Sequence, residues 1–144
     1  MAPLLDIFIT LLHLGKTGWK QHLKTRKELV PYFRQKMEEV ATKHGERVLD
    51  TPQNTISFGL TVSNVTKAAR KDPTYLGSMI FKRGVSGARI VSQGASKTIG
   101  PFTFTGYGAH TDAYPEMYLT TACSIGLDKR VRLQSLLTLF STKL

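Results

Sequence analysis

Apolar positions recur along this chain at two periods, and the switches between them divide it into short elements. From Leu4 to Leu14 nearly every side chain is apolar. Pro3 suits the first turn of a helix and Gly15 suits its end. A short helix apolar nearly all round has to be covered on every side, so this one points to an interface. A second helical pattern spans Thr17 to His44, with Trp19, Leu23, Val30, Phe33, Met37 and Val40 on one stripe and Gly45 as the stop. Lys16, Lys20, Lys24, Lys27, Arg34 and Lys43 fall opposite, as a solvated face would have them. Pro31 lies inside the stripe and is expected to kink or divide the helix at Val30.

Past the turn at Asp50-Thr51-Pro52 the period drops to two. Ile56, Phe58, Leu60 and Val62 alternate, which predicts a strand over Thr55–Val62. Asp72-Pro73 starts the next helix with a capping carboxylate and a first-turn proline. That helix carries Leu76, Met79 and Ile80 and ends by Gly84. Strands are expected at Ala88–Ser92 and Phe102–Thr105, with glycine-rich connections around Gly94 and Gly100. Asp112 and Pro115 open a further helix through Met117, Leu119, Ala122 and Ile125. A closing amphipathic helix carries Leu133, Leu136, Leu137 and Phe140. The sum is an α/β (α+β) layer, helices packed on a short sheet of about three strands, with residues 1–144 as a single domain.

Composition narrows the function classes. The apolar share of 41% and charged share of 21% are those of a globular chain of 144 residues. The apolar run at Leu4–Leu14 is too short to cross a membrane and includes Asp6 and His13, and it lacks the leader pattern of a signal peptide. The lone Cys123 excludes an internal disulfide framework and a cysteine-cluster metal site, and is read as a buried small hydrophobe. The compartment expected is cytoplasmic, with no membrane partner.

Charge changes the picture more. The net charge is +10, from 20 Lys and Arg against 10 Asp and Glu, and it is uneven. Residues 67–97 carry Lys67, Arg70, Lys71, Lys82, Arg83, Arg89 and Lys97 against Asp72 alone. Such a surface draws polyanions, and phosphate contacts give salt-dependent, sequence-blind affinity. No helix-turn-helix, zinc finger or RNP motif is present to read bases. No P-loop, dinucleotide fingerprint or HExxH motif is present either. His110 and Asp112 are close in sequence, but a capping role for Asp112 accounts for the pair. Ser86, in Gly84-Val85-Ser86-Gly87, lacks the spacing of a nucleophile elbow. The most suggestive stretch is Phe81 to Arg89: two cations at a helix end, a glycine-hinged turn, then a third cation on the next strand. Arg83 there could fork onto a phosphate or a guanine edge.

The same stretch carries a resemblance. Leu76-Gly77-Ser78-Met79, Phe81-Lys82-Arg83 and Val85-Ser86-Gly87-Ala88-Arg89 are similar to the matching run of the O-phosphoseryl-tRNA(Sec) selenium transferase family. Upstream, Ile9-Thr10-Leu11-Leu12, Arg26-Lys27-Glu28 and Glu46-Arg47-Val48-Leu49 follow in the same order. Downstream come Phe102-Thr103-Phe104, His110-Thr111, Tyr114-Pro115, Tyr118-Leu119 and Ser124-Ile125-Gly126. The likeness covers about residues 3–127 and fades after Asp128.

It implies the small carboxy-terminal domain of a fold-type I transferase dependent on pyridoxal 5'-phosphate. The family enzyme is a homotetramer. It converts O-phosphoseryl-tRNA(Sec) to selenocysteinyl-tRNA(Sec) with selenophosphate as co-substrate. In the family the lysine that holds the cofactor, the phosphate-gripping arginines and the cofactor's phosphate loop all precede the region matched here. No catalytic, cofactor-binding or metal-binding residue is therefore expected in this chain. Its expected share is tRNA acceptor-end contact and subunit packing. Arg83 matches the family arginine that meets the discriminator base, and Lys82 and Arg89 flank it. Thr105 stands where the family usually has arginine, while Gly100-Pro101 and Pro31 are local departures. Two other readings are an autonomous basic RNA-binding domain without catalysis and the carboxy-terminal domain of a different pyridoxal-phosphate enzyme. The Val85–Arg89 run argues against the latter.

Overall fold

A computed structural model describes residues 2–107 and 114–127. The expected helices at the amino end are both present, joined as α1 (Ala2–Lys43) across a break at Gly15, whose φ of 59° and ψ of −177° are not helical. Glycine adopts that backbone readily and L side chains do not. Pro31 does not divide α1; Gly15 is the residue with non-helical dihedrals inside it. Pro31 lies on the exposed side, where the carbonyl it leaves without an N–H partner can turn to water.

The part of α1 that reaches the core presents Leu29, Phe33, Met37, Val40 and Ala41, a stripe at helical spacing and all buried. The stripe begins later than the sequence pattern suggested, since Leu23 is exposed and Trp19 only half-buried. None of residues 4–12 belongs to this core. Leu4, Leu5, Ile7, Phe8, Ile9, Leu11 and Leu12 are 51–74% exposed, so this helix is an uncovered apolar rod.

The sheet is antiparallel in the order β1 (Ser57–Thr61), β5 (Tyr118–Ala122), β2 (Arg89–Val91). Leu119 stands in register with both Leu60 and Ile90. Alternation puts Phe58, Leu60, Val62, Leu119, Thr121 and Cys123 on the one face that the helices cover, and all six are buried. Phe33 of α1 meets Phe58 of β1 with ring centroids 5.2 Å apart. Leu76 and Ile80 of α3 (Pro73–Lys82) close the other end of the core.

Three elements differ from the expected order. β5 occupies a segment whose apolar spacing resembled a helix, and it is the central strand. A short helix, α2 (Ser63–Ala69), follows β1 directly. The expected third strand is real as β4 (Phe102–Thr105), but it pairs only with β3 (Ser96–Ile99), in a hairpin apart from the main sheet. Every residue of both hairpin strands is exposed. The expected helix after Asp128, and His110 and Asp112, lie outside the described residues.

Candidate nucleic-acid interface

The stretch singled out in sequence is the α3–turn–β2 unit, and its backbone is tightly determined. At the start of α3 the Asp72 carboxylate accepts the Thr74 N–H at 2.8 Å, and the Thr74 hydroxyl also donates to it. Those two hydrogen bonds, hydroxyl first and then backbone N–H, hold the Asp72 carboxyl below its ordinary range. At the other end Arg83 is the C-cap. Gly84 follows with φ of 80°, its N–H donating to the Phe81 carbonyl at 2.9 Å, and Val85 N–H donates to Ile80 at 3.2 Å. This is a Schellman closure, with buried Val85 packing over buried Ile80 as its hydrophobic partner. Glycine is required at 84 by its conformation and not by space, because an added Cβ there would meet nothing within 4 Å.

The closure fixes where the cations stand. Lys82 ends the helix, Arg83 caps it with an exposed side chain, and Arg89 opens β2 opposite Thr120. Lys82 and Arg89 come together on one open groove between α3 and β2, lined also by Thr74, Gly77, Ser78 and Phe81. Arg83 is not among the groove's lining residues. The two flanking cations thus share a surface, and the residue expected to lead stands beside it. Sequence reasoning gave Phe81 no role of its own. Its signal was nonetheless present: Leu76 and Ile80 are the core positions of α3, so residue 81 falls about 100° off that stripe and is turned outward. It is 70% exposed.

Arg89 also faces β5. Burial and the hydrogen bond that its hydroxyl donates to Tyr114 raise the Tyr118 phenol above its ordinary value, and the nearby Arg89 charge pulls the other way.

A pyridoxal-phosphate lysine needs an enclosed site in which its amine can lose its proton. Among the described residues no lysine is buried. The half-buried Lys36 is instead paired with Glu39 at 2.6 Å, a contact that raises its pKa. The described residues therefore do not fit that cofactor's anchor. No group of three His, Cys, Asp or Glu residues placed to hold a metal occurs among the described residues. Among the same residues no helix is long and apolar enough to cross a membrane.

Fold and surface together define a small α/β layer that carries a basic, aromatic-bearing groove between α3 and β2. The model of the O-phosphoseryl-tRNA(Sec) selenium transferase family, SepSecS, matches residues 1–144. The chain belongs to that family. It is 39% identical over 143 residues to the O-phosphoseryl-tRNA(Sec) selenium transferase of Dictyostelium discoideum, a match that covers 89% of this chain and 30% of the relative. It is 35% identical over 127 residues to the Caenorhabditis briggsae protein of the same name, covering 88% and 26%. The crystal structure of an archaeal O-phosphoseryl-tRNA(Sec) selenium transferase superposes with a TM-score of 0.71 at 18% identity. That superposition covers 97% of this chain and 28% of the archaeal one, and it shows the shared fold. The chain spans about a third or less of the length of the relatives it matches.

Proposed function

We propose that this chain acts in selenocysteine synthesis as the tRNA-facing, carboxy-terminal portion of a pyridoxal-phosphate-dependent selenium transferase. In this reading Arg83 contacts the acceptor end of tRNA(Sec), with Lys82 and Arg89 adding phosphate contacts. The uncovered helix of residues 4–12 packs against the rest of a homotetrameric assembly. The cofactor, its lysine and the selenophosphate chemistry belong to sequence outside this chain, which has no turnover of its own.

The observation that carries the reading is the rigid C-cap at Arg83. The Schellman closure holds its backbone while the guanidinium stays in solvent, amid a stretch with one acidic residue against seven basic ones. A planar fork held so can read a base edge or a phosphate.

The test is binding of a tRNA(Sec) transcript to the 144-residue chain. R83A is expected to weaken it about tenfold, the loss of one good bidentate contact. R83K should keep the salt dependence and lose most of the preference for the acceptor-end base. Unchanged affinity in R83A would remove the basis of the reading.

A further inference from the structure

The groove beside Arg83 has a second set of features that simple charge does not explain. Thr74, Gly77, Ser78 and Phe81 follow one another at i, i+3, i+4 and i+7, a stripe of α3 distinct from the buried Leu76–Ile80 stripe. Ala88, Arg89 and Ile90 of the turn and β2 form the facing wall. The floor is close-set: a Cβ on Gly77 would lie 3.3 Å from Ile90 Cγ1, so the absence of a side chain there lets helix and strand approach. Phe81 lines the same groove as Lys82 and Arg89 and is 70% exposed. A large aromatic ring left in water beside two cations and two hydroxyls is poorly explained by packing. It matches the chemistry of an unpaired nucleotide, which offers a flat π-face, polar edges and a phosphate at once.

We infer that the α3–β2 groove is a binding site for an unpaired RNA nucleotide, whose base stacks on the Phe81 ring while Lys82 and Arg89 hold the flanking phosphates. The Thr74 and Ser78 hydroxyls donate to Asp72 and to the Thr74 carbonyl, which leaves their oxygens as acceptors along the same wall for the base edge or the ribose. The charge of the neighbourhood favours a polyanion over an acidic-poor peptide, and the exposed ring favours a single strand over a duplex, whose bases are already stacked. The inference rests on the reading of this surface as RNA-facing, and adds to it a site separate from Arg83.

The test uses the 144-residue chain with short single-stranded oligo-A and a blunt RNA duplex as probes. Oligo-A should bind more tightly than the duplex. F81A and F81L should each weaken oligo-A about tenfold, F81L because it keeps apolar volume but loses the π-face. F81W should retain affinity, and its fluorescence should be quenched on binding. K82A should reduce the salt slope by about 0.7, the value for one phosphate on a single strand. Because Phe81 lies outside the core, thermal melting of F81A should match that of the parent chain.

Oligo-A affinity unaltered in both F81A and F81L would overturn the site, as would preference for the duplex or for an acidic peptide. The two readings fail separately. If F81A is without effect while R83A weakens the tRNA(Sec) transcript, the groove fails and the acceptor-end contact stands. If Phe81 governs oligo-A binding while R83A leaves the transcript unaffected, the groove stands and the acceptor-end contact fails.

Discussion

Glu46 caps a helix that begins 17 residues beyond it: one carboxylate oxygen accepts the Val65 N–H at 3.0 Å and the Asn64 N–H at 2.6 Å, while the other accepts the Thr61 hydroxyl at 2.5 Å. The residue at the N-cap position of α2 itself, Val62, offers no side-chain cap. A carboxylate from the turn after α1 therefore satisfies donors that the local sequence leaves open, at the helix end where negative charge is favoured. This ties the end of α1 to the β1–α2 corner.

Removing that cap should be costly. E46A strands two backbone N–H groups and the buried Thr61 hydroxyl, so about 1–2 kcal/mol of stability should be lost. E46Q keeps one acceptor oxygen and should lose less. Urea unfolding of the two variants measures the difference, and a smaller loss in E46A than in E46Q would rule out the capping role.

Asp72 gives a pH dependence whose sign is fixed by its hydrogen bonds. Its folded pKa lies below the ordinary carboxylate value, because the Thr74 hydroxyl and N–H favour the charged form. Its stabilising contribution is therefore present above the unfolded pKa and is lost as pH falls through the folded one. D72N retains a good capping side chain but does not titrate. Its melting temperature should fall less than that of the parent on acidification from neutral pH to about pH 3, below the usual carboxylate range. Equal falls in the two chains would exclude Asp72 as a source of the acid sensitivity.

What the sequence disclosed follows the same physics. Elements specified by adjacent residues were legible: the Gly15 break, the Asp72-Pro73 start and the Gly84 stop each rest on a local conformational rule. Elements specified from a distance were not. α2 is capped by Glu46, which no local pattern reveals. In the β5 segment Met117, Leu119, Ala122 and Ile125 have helical spacing, which predicts a helix. Its real period is two, with Leu119, Thr121 and Cys123 inward, and a threonine in the buried set disguised the alternation. β3 has no buried face, so Ser96–Ile99 had no apolar alternation to show. At the candidate site the cations were legible as charge, but that Lys82 and Arg89 share a groove while Arg83 stands outside it depends on how β2 docks against α3.

The central position of β5 makes a steep expectation. Leu119 is fully buried, in register with Leu60 on one side and Ile90 on the other. L119A opens a cavity where three strands meet and should cost about 2–5 kcal/mol. A helix in this segment, with solvent on one side, would tolerate the change far better. Equilibrium unfolding in denaturant separates the two cases.

Cys123 follows Leu119 on the same buried face and is fully enclosed. Burial raises its thiol pKa, and the nearby Arg26 charge offsets this only in part. The thiolate is the reactive form, so both access and ionisation protect this residue. Alkylation by iodoacetamide should proceed far more slowly than for a free cysteine at neutral pH, and reach the free rate in denaturant. Rapid modification of the folded chain would mean that the β5 end opens.

The uncovered rod at residues 4–12 predicts association without any effect on the core. Its seven exposed apolar side chains are not members of the buried cluster that stabilises the fold. Each is a large side chain whose burial is worth about 1.5–3 kcal/mol, so burying several of them against a second surface is strongly favoured. The 144-residue chain should therefore self-associate at micromolar concentration, with the rods covering one another. A triple variant, L5K with I9K and L12K, should shift the light-scattering mass to the monomer. Its unfolding midpoint, measured on the dilute chain, should stay close to that of the parent, because none of the three positions belongs to the core. Association that persists in the triple variant would move the sticky surface elsewhere, and the exposed Ile99, Phe102 and Phe104 of the β3–β4 hairpin would be the next positions to change.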